Sequence, residues 1–174
     1  MNLDALATRI ASKDEKAFEE AYNALSKAVF SVCYSIVKSE AIARELSQDT
    51  FVAVWKYASS FRGVGFKSWT LTIARNKSLN YIEKQKREIS VDFSESEEYT
   101  RVAEESSVDA ETRITLKCAI EALDEVDRQI VLLKTSGVKL REIAEYLKMP
   151  RGTVSWRYGE ALKRLKKYME GRSL

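Results

Sequence analysis

The sequence predicts an all-α protein of two small helical domains joined by a flexible acidic linker. Three observations carry this. Outside its middle, the chain repeats apolar residues at steps of three and four, the spacing of helices that bury one face. No stretch shows the clear alternation of a strand. Charge divides the 174 residues into three blocks: 1–87 carry 14 basic and 9 acidic side chains, 88–112 carry 1 and 9, and 113–174 carry 14 and 8. Two basic blocks around an acidic one read as two modules and a linker. The expected boundaries are 1–87, 88–110 and 111–174.

The first expected helix is AFEEAYNALSKAVFSVCYSIV, with Phe18, Tyr22, Leu25, Val29, Val32 and Ile36 as its core stripe. Ser12 and Glu15 form a capping-box pattern before it. The next helix covers 40–58. Ala43, Leu46, Thr50, Val54 and Ala58 share its inner face, and Glu45, Gln48, Asp49, Val52 and Lys56 share the opposite one. FRGVG then breaks the helix. A third helix covers 66–87, with Phe66, Trp69 and Ile73 on one side and Leu71, Leu79 and Ile82 on another. The acidic, serine-rich segment EISVDFSESEEYTRVAEESSVDAE has no sustained period and reads as linker. Helices resume near Asp109, with Asp124 as an N-cap and Gly137 as a stop.

The last stretch, KLREIAEYLKMPRGTVSWRYGEALKRLKK, reads as two helices with a very short break. Leu140, Ile143, Ala144 and Leu147 make one face of the first. Pro150 suits the first turn of the second. Val154, Tyr158, Ala161, Leu162, Leu165 and Met169 form the second helix's inner stripe. Thr153, Trp156, Glu160, Lys163, Arg164 and Lys167 point away, and Arg157 stands at the edge. Residues 148–172 carry 8 basic and 2 acidic side chains. Two short helices, a tight turn and a basic outer face describe a helix-turn-helix whose second helix fits the DNA major groove. The pattern alone also admits a solvated basic helix on a helical bundle.

Composition narrows the chemistry. The chain has no histidine and two cysteines, Cys33 and Cys118, expected as buried free thiols. Two lone cysteines do not build a zinc site. No phosphate-binding glycine loop or nucleophile elbow is present. No catalytic residue, cofactor or metal is expected. The start, MNLDALATRIASKDEKAF, lacks the charged and apolar parts of a signal peptide, and no apolar run approaches the ~20 residues that span a bilayer. A cytoplasmic protein without membrane insertion is expected.

Two blocks resemble the bacterial sigma factors of the extracytoplasmic-function (ECF) group, in the family's order. ARELSQDTFVAVW and FRGVGFKSWTLTIARNKSLNYI resemble sigma region 2. AIEALDEVDRQIVLLKTSGVKLREIAEYLKMPRGTVSWRYGEALKRLKK resembles sigma region 4. The resemblance implies a non-catalytic subunit that binds core RNA polymerase through a coiled coil of the largest subunit and through the flap. It also implies recognition of promoter DNA at the −10 and −35 elements, and an anti-sigma factor as antagonist. Carried over by position, Glu45, Gln48, Asp49, Val52 and Lys56 form the polymerase-binding face, or else an ordinary solvated face. Arg62, Gly63, Val64, Gly65, Lys67, Arg75, Asn76 and Lys77 are the −10 candidates, while Trp69, on the apolar stripe, reads as core. Arg151, Thr153, Ser155, Trp156, Arg157, Glu160, Lys163, Arg164 and Lys167 are the −35 candidates. Glu160 either accepts from cytosine N4, orients Arg157 or Arg164, or is plain surface.

The loop FRGVGF is one residue shorter than the family's common form. Ser155, Trp156, Gly159 and Glu160 also depart from the family's usual residues. A stand-alone regulator using only the helix-turn-helix, and a helical adaptor binding only protein, are the alternatives from other classes. With a linker of about 25 residues spanning roughly 25–30 Å on average, the free chain is expected to hold its domains close.

Overall fold

The computed structural model describes residues 2–62, 65–89 and 110–171. They form α1 (Leu3–Ala11), α2 (Glu15–Val37), α3 (Glu40–Tyr57), a 3-10 turn (Ala58–Ser60), α4 (Phe66–Ile89), α5 (Ala110–Ala122), α6 (Glu125–Thr135), α7 (Leu140–Leu147) and α8 (Arg151–Met169). The described residues include no strand. The expected linker falls largely on 90–109, outside the described residues.

The N-terminal bundle packs α1, α3 and α4 around α2. The α3 face expected to be internal is buried: Ala43, Leu46, Thr50, Val54 and Ala58 are all closed to solvent. In α2, Leu25, Val29 and Val32 are buried as expected, but Tyr22 is exposed, and Ala21 and Ala28 fill the seam instead. Helix α1 was not expected from the sequence. The Asn2 side chain caps it by accepting from the Asp4 and Ala5 N–H groups, and it buries Leu6, Ala7 and Ile10. The capping box expected at Ser12 and Glu15 does not form, because Ser12 ends α1. Asp14 caps α2 in its place, accepting from the Ala17 N–H at 3.0 Å.

The C-terminal unit places α8 across α5, α6 and α7. Asp124 caps α6 as expected, and Gly137 follows its end with φ +92°. Val154, Ala161 and Leu165 of α8 are buried, but Leu162 and Met169, placed on the inner stripe by sequence, are exposed. Pro150 stands at the N-cap of α8, one residue before its first turn. Of the two cysteines, Cys33 is buried and Cys118 is exposed, so the expectation holds for the first alone. Cys118 sits on α5, a helix that also leaves Ile114 and Leu116 in solvent.

The two units share one continuous core. Residues from α1 to α4 join Ile130, Leu133, Val138, Ile143, Ala144, Tyr146 and Val154 in a single buried cluster. The junction centres on Arg128, which is buried. Its Nε donates to the Ile120 carbonyl, Nη2 to the carbonyls of Glu121 and Leu123, and Nη1 to the Ser35 carbonyl at 2.7 Å. Ser35, Ile120 and Glu121 lie in the last turns of α2 and α5, where carbonyls lack helical partners. One cation therefore caps two helix C-termini, where the helix dipoles favour positive charge. Beside it the Tyr34 hydroxyl donates to Glu121 at 3.1 Å.

Candidate nucleic-acid and polymerase interfaces

Helix α7 ends at Leu147. Lys148 then takes a left-handed conformation with φ 54°, and the Met149 N–H returns to the Ala144 carbonyl. This tight turn sets α8 against α6 and α7 through Val154 and Tyr158. The face left outside carries Arg151, Thr153, Ser155, Trp156, Lys163, Arg164 and Lys167, all exposed. Seven of the nine expected −35 residues thus lie open to solvent on this helix.

Arg157 is placed differently. Its Nε donates to Asp127 Oδ1 at 2.6 Å, and its Nη2 donates to both Asp124 oxygens at 2.8 Å. Asp127 is buried, and Arg164 Nη1 lies 3.5 Å from its other oxygen. Burial pushes the Asp127 carboxyl above its ordinary value, and the neighbouring Asp124 charge adds to this. Burial also acts against the Asp124 charge, but the Asp127 N–H and the Arg157 guanidinium outweigh it and hold that carboxyl low. Arg157 therefore serves as a strut between α8 and α6, half-buried where the other −35 candidates of this helix face solvent or a neighbouring lysine. Glu160 pairs with Lys163 at 2.7 Å, so the partner is neither of the arginines expected for it.

The expected −10 segment begins α4. The Asp4 carboxylate of α1 accepts from the Gly65 N–H at 3.0 Å and the Phe66 N–H at 2.7 Å. This ties the loop's end, where Gly65 has φ +97°, to a helix 61 residues earlier. Phe61, Phe66 and Trp69 form an aromatic cluster with centroids 5.5–5.6 Å apart, so Trp69 packs on the core as expected. Arg62, Arg75 and Asn76 are exposed. Lys67 bonds across the domain junction to Glu142 of α7 at 2.9 Å. At about 100° per residue, Arg75 and Lys77 lie about 80° to either side of Lys67 on α4, and Asn76 lies opposite it. The four are not brought onto one face. Gly63 and Val64 lie outside the described residues.

Glu45, Gln48, Asp49, Val52 and Lys56 all stand in solvent on α3, and Val52 is 65% exposed. Next to them an apolar cleft is lined by Glu15, Phe18, Val52 and Trp55. The sequence reading missed this aromatic wall, and it missed Asp4 and Arg128. The i, i+3 spacing of Val52 and Trp55 was its only local signal. The long-range bonds of Asp4 and Arg128 leave none. Among the described residues, no cluster of metal-ligating side chains occurs, and no helix is long and apolar enough to cross a membrane.

Comparison with known proteins gives a consistent picture. The family model for sigma-70 region 2 matches residues 21–88, and that for sigma-70 region 4 matches residues 113–165. The ECF RNA polymerase sigma factor SigK of Mycobacterium bovis is 23% identical over 97% of this chain and 94% of that protein. SigW of Bacillus subtilis is 24% identical, covering 90% of each chain. The sigma factor RpoE of Bartonella quintana, solved with the anti-sigma factor NepR, superposes with a TM-score of 0.69. It is 26% identical over 89% of this chain and 98% of that one. CnrH, solved with the cytosolic domain of CnrY, has the same fold, with a TM-score of 0.68 at 22% identity over 98% of each chain.

Proposed function

Because the chain belongs to the ECF group of sigma-70 family sigma factors, whose work is promoter-specific transcription initiation, we propose how its surfaces divide that work. The α3 face at Glu45, Gln48, Asp49, Val52 and Lys56 binds core RNA polymerase. Five side chains of mixed chemistry stand exposed on one helix face there, Val52 lining the cleft with Phe18 and Trp55 and Lys56 lying over the Tyr57 ring. The start of α4, with Arg62 and Lys67, handles the melted −10 strand. The outer face of α8 reads the −35 element. The protein catalyses nothing and acts in the cytoplasm beside the polymerase. An anti-sigma factor is its expected antagonist, since RpoE was solved bound to one.

The observation that carries this reading is the outer face of α8, exposed and basic while its inner face is locked to α6 and α7. A second feature gives the mechanism. The −10 and −35 elements lie about 75–85 Å apart at ~3.4 Å per base pair. The shared core and the Arg128 junction hold the two units in contact, so the chain is closed when free and opens on the polymerase. Opening releases Lys67 from Glu142.

In vitro transcription with purified core enzyme, followed by sequencing of transcript starts, tests the reading. Discrete starts that share two upstream elements are expected. Core enzyme that initiates identically with and without the protein overturns it. Converting Gln48 and Asp49 to alanine should leave melting unchanged and weaken core binding by about 1–3 kcal/mol. Unchanged core binding would move the docking face elsewhere.

A further inference from the structure

The outer face of α8 holds one large apolar group, Trp156, which is 64% exposed. Gly152 lies one turn before it and Gly159 one turn after. At about 100° per residue both are rotated by roughly 40–60° to the same side of the indole. Neither glycine is among those with positive φ. A Cβ at either position would meet nothing within 4 Å, the indole included. No turn, packed neighbour or internal contact therefore calls for glycine here, and glycine lowers helix stability relative to alanine. The strip beside the indole carries no side chain at these two turns, with Gly152 exposed and Gly159 half-buried. On the other side stand Thr153 and Glu160, and the Glu160 charge is already met by Lys163. The result is an apolar plate beside open backbone, with its nearest carboxylate neutralised.

In the major groove the apolar group on a base edge is the thymine C5 methyl. We propose that Trp156 is a specificity-determining residue that reads thymine methyl groups in the −35 element. Gly152 and Gly159 supply the space that the methyl-bearing base edge needs to reach the indole. This rests on α8 being the −35 helix.

The test uses holoenzyme assembled from the full chain and purified core RNA polymerase. The holoenzyme first selects its −35 sequence from a randomised duplex library. The selected duplex is then remade with deoxyuridine replacing each thymidine singly, which removes the methyl and keeps every hydrogen-bonding group. At one or two positions, affinity should fall about fourfold, the value of one buried methyl. Trp156→Ala should abolish that difference. The double variant Gly152→Ala, Gly159→Ala should raise Tm by about 2–4 °C and weaken binding of the selected duplex about tenfold or more. A purely structural role for the glycines does not produce these opposite signs.

A flat uracil scan, a methyl effect that survives in Trp156→Ala, or glycine variants that bind like wild type overturn the proposal. Arg164→Ala with Lys167→Ala separates the two failures. If that variant also binds the −35 duplex normally, the recognition-helix reading fails. If it loses affinity while the uracil scan is flat, only the methyl reading fails.

Discussion

The start of α4 and the outer face of α8 are both polar, cation-bearing segments proposed to meet promoter DNA, yet they stand differently in the closed chain. At the start of α4 the free N–H groups of Gly65 and Phe66 are taken by Asp4, Trp69 is packed among phenylalanines, and Lys67 is held by Glu142 of the other unit. On α8 Arg157 is spent inward and Arg164 reaches the same buried Asp127 more loosely at 3.5 Å, while Thr153, Trp156, Lys163 and Lys167 face water. The difference follows from what lies behind each helix. Buried apolar contacts and the Arg157 strut fix α8 within its own unit, so its outer face is complete in the free chain. The start of α4 lies at the junction of two units, so its face is completed only when they part. One proposed DNA surface is preformed and the other is conditional.

The largest expected effect breaks the junction itself. Arg128→Ala strips donors from four buried or half-buried carbonyls and should cost about 3 kcal/mol or more in urea unfolding. It should also separate the units, seen as a larger radius in solution scattering. Next comes the strut: Arg157→Ala leaves Asp127 buried beside Asp124 without its main counter-charge and should cost about 2 kcal/mol. Arg164→Ala, largely exposed, should leave stability nearly unchanged and reduce the salt slope of −35 binding by about one. Equal stability losses for the two arginines would erase the distinction between strut and contact.

Tyr146 sharpens the comparison in the opposite direction. It is buried at the junction, and its hydroxyl has no partner among the described residues. Tyr146→Phe should stabilise the closed chain by about 1 kcal/mol and weaken core-enzyme binding correspondingly. Smaller still is the Lys67–Glu142 pair, worth about 0.5–1 kcal/mol at its partial exposure. Lys67→Ala should barely change unfolding of the free chain but should reduce open-complex formation by holoenzyme, measured by permanganate reactivity of unpaired thymines. The least effect is expected from acid. Burial opposes the Glu142 charge, but Lys67 and the Lys139 N–H outweigh it, holding the carboxyl below its ordinary 4.5. The pair's contribution is therefore complete above pH 4.5 and is lost as pH falls through the lowered value. Glu142→Gln should flatten that part of the stability profile.

Much of this protein was legible in its sequence, and the reason is periodicity. The steps of three and four in α2, α3 and α8 report which face a helix buries, because burying one stripe is what makes a short helix stable. The exposed α3 face and the solvent-facing side of α8 were read this way, while the Asp124 cap was read from its residue type and the turn at Lys148 from the shortness of the break between two helices. Helix α1 carries the same signal in Leu3, Leu6, Ala7 and Ile10, and could have been read. At Ser12 the local capping pattern competed with Asp14 and lost, because α1 runs on through Ala11 and leaves Ser12 as its C-cap.

What the sequence by itself determined is most of the helices and their inner faces, since these depend on neighbours three and four residues apart, and a family resemblance, since that rests on two blocks of motifs in order. Only the tertiary structure decided which polar groups are already spent. Arg157 and Arg164 are both basic residues near one face of α8, but a carboxylate pair 30 and 33 residues upstream engages the first closely. Lys67 looks like any exposed lysine until α7, 75 residues later, brings Glu142 to it. Arg128 looks like a charged residue in an amphipathic helix, yet it caps α5 and, 93 residues upstream, α2. Hydrogen bonds and ion pairs act over a few ångströms, whatever the separation along the chain. Their partners are therefore set by how the helices pack rather than by any pattern within one helix.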